Sequence, residues 1–320
     1  MTGCSGFLGP WLCERLVVAG AQVLGADLHF DLESRIHDID PEKLEPVFVD
    51  VENIEELAAA IEQSDVQFVF HLAAQSLVGE ARKKPLETIA TNVMGTANVL
   101  EVARQLHGTS KALRGVVVAS SDKAYGAHDD LPYLESTPLQ GRYPYDASKS
   151  CADLIAQSYA ATYDLPIAIV RCGNLYGAGD LNWSRIVPGT FKHCFAGERP
   201  VIRSDGTLVR DYLYVEDAAE AFIIIGRALM AGEVERGEAF NVSGGEHLSV
   251  LEIVRKVQDA AGGEAAEPVI KDTAKFEIQK QYLSSQHLTN RLGWKPLVDL
   301  PRGLALASDW YRQRCKDLTR

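Results

Sequence analysis

The chain has 320 residues, 46% hydrophobic and 24% charged, which suffices for a substantial core and one large or two coupled domains. Its 32 basic against 44 acidic residues leave a net charge of -12, which excludes a general binder of phosphate backbones such as nucleic acid and requires anionic ligands to be held locally. Cys4, Cys13, Cys151, Cys172, Cys194 and Cys315 form no C-x-x-C pair or metal-type cluster, and no run reaches membrane-spanning length, so reduced thiols, no metal, no membrane and a cytoplasmic location are expected.

The chain opens on Thr2-Gly3-Cys4-Ser5-Gly6-Phe7-Leu8-Gly9, which runs directly into the helical pattern Trp11 to Gly20. Glycines three apart permit a tight turn and close approach of backbone to a pyrophosphate, whose charge meets unpaired amides at the helix start. Cys4 within this loop reads as a small filler. A second strand follows at Ala21 to Asp27, and the Asp27 carboxylate, 18 residues after Gly9, can accept both ribose hydroxyls, favouring NAD over NADP. The fingerprint should follow a buried central strand, yet only Met1 and Thr2 precede Gly3. The expectation is a natural chain that begins several residues earlier with a Val/Ile-rich run.

Further along, strand-like runs at 46–49, 67–72, 114–120 and 165–171 alternate with helical periodicity near 53–64, 92–107 and 146–162. This predicts an α/β fold, a doubly wound Rossmann-type parallel sheet whose first strand is truncated. Residues 1–172 form the dinucleotide-binding portion. After Arg171 the alternation loosens, with Asn174 to Asp180 reading as a loop and 200–206 as a short strand and turn. A smaller, discontinuous substrate-binding portion is assigned to 173–320, with 209–245 returning in part to the main sheet.

Ser121-Asp122-Lys123 ends the apolar run Val116 to Ala119, and Tyr145-x-x-x-Lys149 follows. Four residues apart on a helix, Tyr145 and Lys149 share a face, so the ammonium can assist ionisation of the phenol. A solvated helix face carries such a pair far more often than a catalytic site does, so context decides. Alternate strand residues face opposite ways, hence Ser121 and Asp122 can enter one site only if the strand breaks near Ser121.

Taken together, the loop from Gly3 to Gly9, Asp50-Val51, His71-Leu72-Ala73-Ala74, Asn92-x-x-Gly95-Thr96, Tyr145-x-x-x-Lys149, Arg171-x-x-Asn174-x-Tyr176-Gly177 and Arg210-Asp211 through Asp217 resemble the extended short-chain dehydrogenases/reductases that act on nucleotide-sugars. The resemblance covers nearly the whole chain. It implies tightly held NAD, contacted by Gly3, Ser5, Gly6, Phe7, Leu8, Gly9 and Asp27, with Asp50 and Val51 near the adenine and Leu72, Ala73 and Ala74 lining the dinucleotide beside Tyr145 and Lys149. His71 and Asn92 read as packing residues. Ser121-Asp122-Lys123 is most similar to the 4,6-dehydratases of the CDP-glucose type, whereas the segment from Arg210 to Val215 is closer to the common epimerase and dehydratase version.

That resemblance implies a reaction on a nucleotide-diphosphate hexose. Tyr145, aided by Lys149 and oriented by Ser121, takes a proton from the C4 hydroxyl as hydride leaves C4; the resulting ketone acidifies C5–H, and Asp122 and Lys123 remove that proton and expel the C6 hydroxyl as water. Lys123 is either a base of lowered pKa or a cation that stabilises the enolate, with Asp122 then protonated as acid. Arg210 is the leading diphosphate ligand, with Asn174 and Arg185 behind it. A 4-epimerase, or a catalytically silent NAD-binding protein, are the alternatives. Apolar positions on more than one face of the helices near 92–107 and 146–162 suit a twofold interface, and the resemblance also implies a homodimer.

Overall fold

The computed structural model describes residues 1–109, 113–262, 266–274 and 277–318. Its strands are β1 (Val23–Asp27), β2 (Leu44–Phe48), β3 (Val69–His71), β4 (Val116–Ser121), β5 (Ile167–Cys172), β6 (Asn174–Tyr176), β7 (Val201–Ile202), β8 (Val209–Tyr214), β9 (Glu238–Val242), β10 (His247–Ser249), β11 (Val269–Ile270) and β12 (Lys280–Gln281). The helices are α1 (Gly9–Val18), α2 (Ile54–Gln63), α3 (Val78–Lys83), α4 (Pro85–Ile89), α5 (Gly95–Leu106), α6 (Pro144–Tyr163), α7 (Ile186–Phe195), α8 (Val215–Ala231), α9 (Val250–Ala261), α10 (Gln286–Leu292) and α11 (Leu300–Leu318).

Strands β3, β4, β5 and β9 form a parallel sheet in that order, and β1 pairs with β2, also in parallel. The place between β1 and β3, where the sequence offers no strand, is filled by Met1 to Gly3. Thr2 bonds β3 through its N–H to Phe70 O at 3.1 Å and accepts from Leu72 N at 3.1 Å, while Ala26 N reaches Met1 O at 2.7 Å and Gly3 N reaches Ala26 O at 2.9 Å. Thr2 also anchors His71, whose Nδ1 lies 2.8 Å from the Thr2 hydroxyl and whose Nε2 lies 3.0 Å from that of Thr96. Burial pulls this imidazole down to about 3, so it is neutral and structural.

Val116-Val117-Val118 and Ile167 to Val170 are wholly buried because helices cover both faces of the sheet, the reason these strands read as continuous apolar runs rather than alternating ones. On one face Leu12 of α1 and Phe222 and Ile225 of α8 pack against Val117 and Val170. On the other, Leu57 of α2, Val99 and Leu100 of α5 and Ala156 of α6 pack against Val118 and Ile169. A second sheet centres on β8, which pairs antiparallel with β10 and parallel with β6 and β12, backed by Phe191, Ile253, Leu304 and Tyr311. Asn174 to Tyr176 is therefore strand, not the predicted loop, because β8 offers it a hydrogen-bonding edge. Among the described residues no helix is long and apolar enough to cross a membrane.

Candidate active site

The three loop glycines meet different demands. Gly3 has φ +71°, and a Cβ there would lie 2.6 Å from Ala73 N; at Gly9 it would lie 2.4 Å from the carbonyl oxygens of Cys4 and Gly3. At Gly6 the nearest protein atom would be Gly3 O at 3.4 Å, so the fold itself does not demand a glycine and the space outside it is kept open. Helix α1 begins with no side-chain cap and no acid in its first turn, leaving its amides available to an anion. Asp27 ends β1 beside this loop, its Oδ2 accepting from Ser5 N at 2.9 Å and Ser5 Oγ at 2.8 Å. Buried Cys4 packs beneath, its thiol pushed up to about 12 by burial, which suits a filler rather than a nucleophile.

Val51 is buried under Gly95, Asp50 accepts from Glu52 N at 2.9 Å, and Leu72 and Ala73 lie against Gly3. Ala74 lines a cavity of about 410 Å³ together with Gln75, Ser76 and Leu77. These residues share the side of the sheet where the strands end, and an open Gly6, an uncapped helix and a strand-end carboxylate fit a dinucleotide.

Strand β4 stops at Ser121, and residues 122–125 turn into a short 3-10 helix for which Ser121 is the cap, its Oγ accepting from Lys123 N at 3.3 Å. This is the break that admits neighbouring side chains to one site. The Ser121 hydroxyl donates to Asp122 Oδ1 at 2.9 Å and faces Tyr145 in the first turn of α6. Burial pushes the Tyr145 phenol above its ordinary range and the Asp122 carboxylate pushes it further, while the Arg185 charge and the Ser121 hydroxyl pull it back. Lys149 Nζ donates to Ala119 O at 3.1 Å, and burial pulls its ammonium down to about 8.

Lys123 Nζ donates to Asp122 Oδ2 at 3.1 Å and to Gln281 Oε1, and Gln281 Nε2 donates to the Asp122 carbonyl at 3.0 Å. Asp122 is buried and Lys123 partly so, which shields the pair from solvent on the carboxylate side. Asp146, next to Tyr145, is held up at about 6 chiefly by burial, with the Lys123 ammonium opposing and the Asp122 carboxylate reinforcing it.

A fully bonded platform supports the cluster. Arg171 of β5 makes two bonds to Asp153 of α6, at 2.8 and 2.9 Å, and one to Tyr125 OH at 2.8 Å; Ser120 Oγ donates to Asp153 at 2.7 Å, and Tyr125 OH to Asn241 at 2.7 Å. Such a network is costly to break from one side only. Asn92, predicted as packing, is a buried polar hub that donates to Ser148 Oγ at 2.9 Å and accepts from Gln75 N at 2.7 Å, tying α6 to the loop after β3.

The expected phosphate ligands separate. Arg185, at the start of α7, bonds Asp180 at 3.1 Å and Ser76 Oγ at 3.2 Å, and its guanidinium lies 5.9 Å from the Phe7 ring centroid, so it stands on the reaction side. Arg210 of β8 is not paired with Asp211 or Asp217 but with Glu277 at 3.4 Å, and Arg82 reaches the same carboxylate at 3.8 Å. Asn174 Nδ2 donates to Asp211 O at 3.1 Å. Sequence reasoning missed Asp146, Gln281 and Glu277. Adjacency to Tyr145 could have flagged the first; the others lie in a segment with no motif.

A family model described as NAD dependent epimerase/dehydratase family matches residues 1–243. The chain is 29% identical over 331 residues to the CDP-glucose 4,6-dehydratase of Salmonella typhimurium, spanning 98% of this chain and 89% of that protein. It is also 29% identical over 321 residues to the UDP-glucose 4-epimerase of Mycolicibacterium smegmatis, covering 98% of each. Its backbone superposes with a TM-score of 0.85, at 27% identity over 98% of this chain and 96% of the other, on the dTDP-glucose 4,6-dehydratase of Streptomyces venezuelae solved with NAD bound.

Proposed function

Because the chain belongs to the NAD-dependent epimerase/dehydratase family, we propose that it is a nucleotide-sugar 4,6-dehydratase, a hydro-lyase that converts a nucleotide-diphosphate hexose to its 4-keto-6-deoxy product. One observation carries this reading: buried Asp122 is ion-paired with Lys123 and takes the Ser121 hydroxyl proton, and both Asp122 and Ser121 act on the Tyr145 phenol. Re-reduction at C4 alone has no use for a carboxylate and an ammonium in that position.

The loop from Gly3 to Gly9, with Asp27, Asp50, Val51 and Leu72 to Ala74, would hold NAD, which when bound supplies the acceptor for the C4 hydride and the donor for its return at C6. Tyr145 removes the C4 hydroxyl proton, with the Ser121 hydroxyl and the Arg185 charge favouring its ionised form against burial. Lys149 adds positive charge one helical turn along. Once C4 is a ketone, loss of water needs one group to take the C5 proton and another to give a proton to the leaving C6 hydroxyl. Lys123 and Asp122 form an ion pair at 3.1 Å, so Asp122 is assigned as the proton acceptor, which returns the proton to C5 as hydride reaches C6, and Lys123 as the donor to the leaving hydroxyl. Arg210 and Asn174 are proposed for the diphosphate, which would displace Glu277.

A 4-epimerase is the second reading, favoured by the Mycolicibacterium smegmatis relative. Mass spectrometry of products from CDP-, dTDP- and UDP-glucose decides. A product lighter by one water supports dehydration, whereas an isobaric product supports epimerisation and ends the first reading. Exposed Met94 and Leu154 on the outer faces of the α5 and α6 region suit a homodimer, which light scattering would report.

A further inference from the structure

Gln281 is wholly buried, yet it comes from the two-residue strand β12, far along the chain from the motif-bearing residues. Pairing of β12 with β8 sets Gln281 opposite Arg210 and aims its amide at the end of β4. Burying an amide is costly unless both its ends are bonded. Both ends here are spent on the reaction pair: Oε1 accepts from Lys123 Nζ and Nε2 donates to the Asp122 carbonyl at 3.0 Å.

The consequence lies in the geometry of an ammonium group. Its three N–H bonds are tetrahedral, so fixing two directions fixes the third. Asp122 Oδ2 takes one and Gln281 Oε1 a second. Asp122 alone would leave Lys123 free to rotate about that contact. We propose that Gln281 is a positioning residue for elimination, a clamp that orients the remaining Lys123 N–H toward the leaving C6 hydroxyl while holding the Asp122 backbone. The inference rests on the dehydratase reading.

The test uses the full-length NAD-loaded enzyme with CDP-, dTDP- and UDP-glucose, following C4 oxidation as nicotinamide reduction and elimination as product lighter by one water. Gln281→Met should oxidise C4 within a few-fold of wild type yet eliminate on the order of 100-fold more slowly, since misplacing a reacting group by about 1 Å costs that much. Gln281→Asn, which keeps a buried amide but withdraws it from Lys123, should show the same split, and Gln281→Glu, which restores the acceptor for Lys123 but not the donor to the Asp122 carbonyl, should recover part of the elimination rate. Thermal melting and bound-nicotinamide content identify any variant that fails to fold, in which case the Asn and Glu variants carry the comparison. Oxidation and elimination falling together, or a partition unchanged in both Met and Asn variants, would overturn the clamp. An isobaric wild-type product overturns the dehydratase reading, and the clamp with it; a dehydrated product with unchanged partition overturns the clamp alone.

Discussion

Ser121 donates its hydroxyl proton to Asp122 Oδ1 at 2.9 Å, and the same hydroxyl faces the Tyr145 phenol and favours its ionised form. A hydroxyl has one proton, which here serves the carboxylate; once the phenol ionises, that proton can turn to the phenolate. In the proposed dehydration, Ser121 thus stands between Tyr145, the base for C4 oxidation, and the Asp122–Lys123 pair assigned to elimination. Ser121→Ala should lower C4 oxidation by roughly 10²- to 10³-fold. Nicotinamide reduction under single turnover measures this, and a loss below about threefold would remove Ser121 from the proton path.

Asp122→Asn keeps the shape of the pair but not its basicity, and Lys123→Met removes the ammonium. Both should stop release of dehydrated sugar while leaving C4 oxidation measurable. Asp122→Asn has a further signature. The carboxylate raises the Tyr145 phenol, so its neutralisation lowers the folded-state pKa, and the pH limb of C4 oxidation governed by Tyr145 should move to lower pH. Unchanged elimination in both variants, with an unmoved limb, would contradict the roles given to the pair.

Local patterns in the chain foretold much of this arrangement. Runs such as Val116 to Ala119 and Ile167 to Val170 need burial on both faces, and helix spacing puts Tyr145 and Lys149 on one side. The strand break at Ser121 is the condition that side-chain alternation sets for Ser121 and Asp122 to share one site. Long-range register was hidden. Asn174 became strand because β8 was available, Met1 to Gly3 bond between β1 and β3 in a stretch too short to carry periodicity, and Gln281 reached Lys123 across 158 positions. The expectation that Lys149 directly tunes Tyr145 met a second cation, Arg185, whose approach depends on how α7 docks.

The unequal glycines separate folding from cofactor retention. Gly9→Ala forces a Cβ to 2.4 Å from two backbone oxygens, so it should destabilise the fold by several kcal/mol as well as empty the dinucleotide site. Gly6→Ala meets only ordinary contact at 3.4 Å. Its melting temperature in the apo state should match wild type, while bound nicotinamide, measured after denaturation, should fall at least about tenfold as the methyl group enters the pyrophosphate space. Equal nicotinamide content in Gly6→Ala and wild type would show that the space beyond Gly6 is not the phosphate cradle.

Asp211 supplies a pH signature of stability independent of turnover. It is wholly buried and accepts from Gly244 N at 3.2 Å; burial, with the Asp122 carboxylate adding to it, raises its carboxyl to about 7 against an ordinary 3.8, the Ser243 hydroxyl opposing. Between those two values the native state keeps a proton that the unfolded chain has already released. The unfolded state therefore binds fewer protons, and stability falls as pH rises through the window. Asp211→Asn can still accept from Gly244 and carries no titrating proton, so its urea unfolding free energy should decline less than that of wild type between about pH 4 and pH 8. Parallel pH profiles for the two proteins would mean that Asp211 is already ionised at neutral pH in the native state.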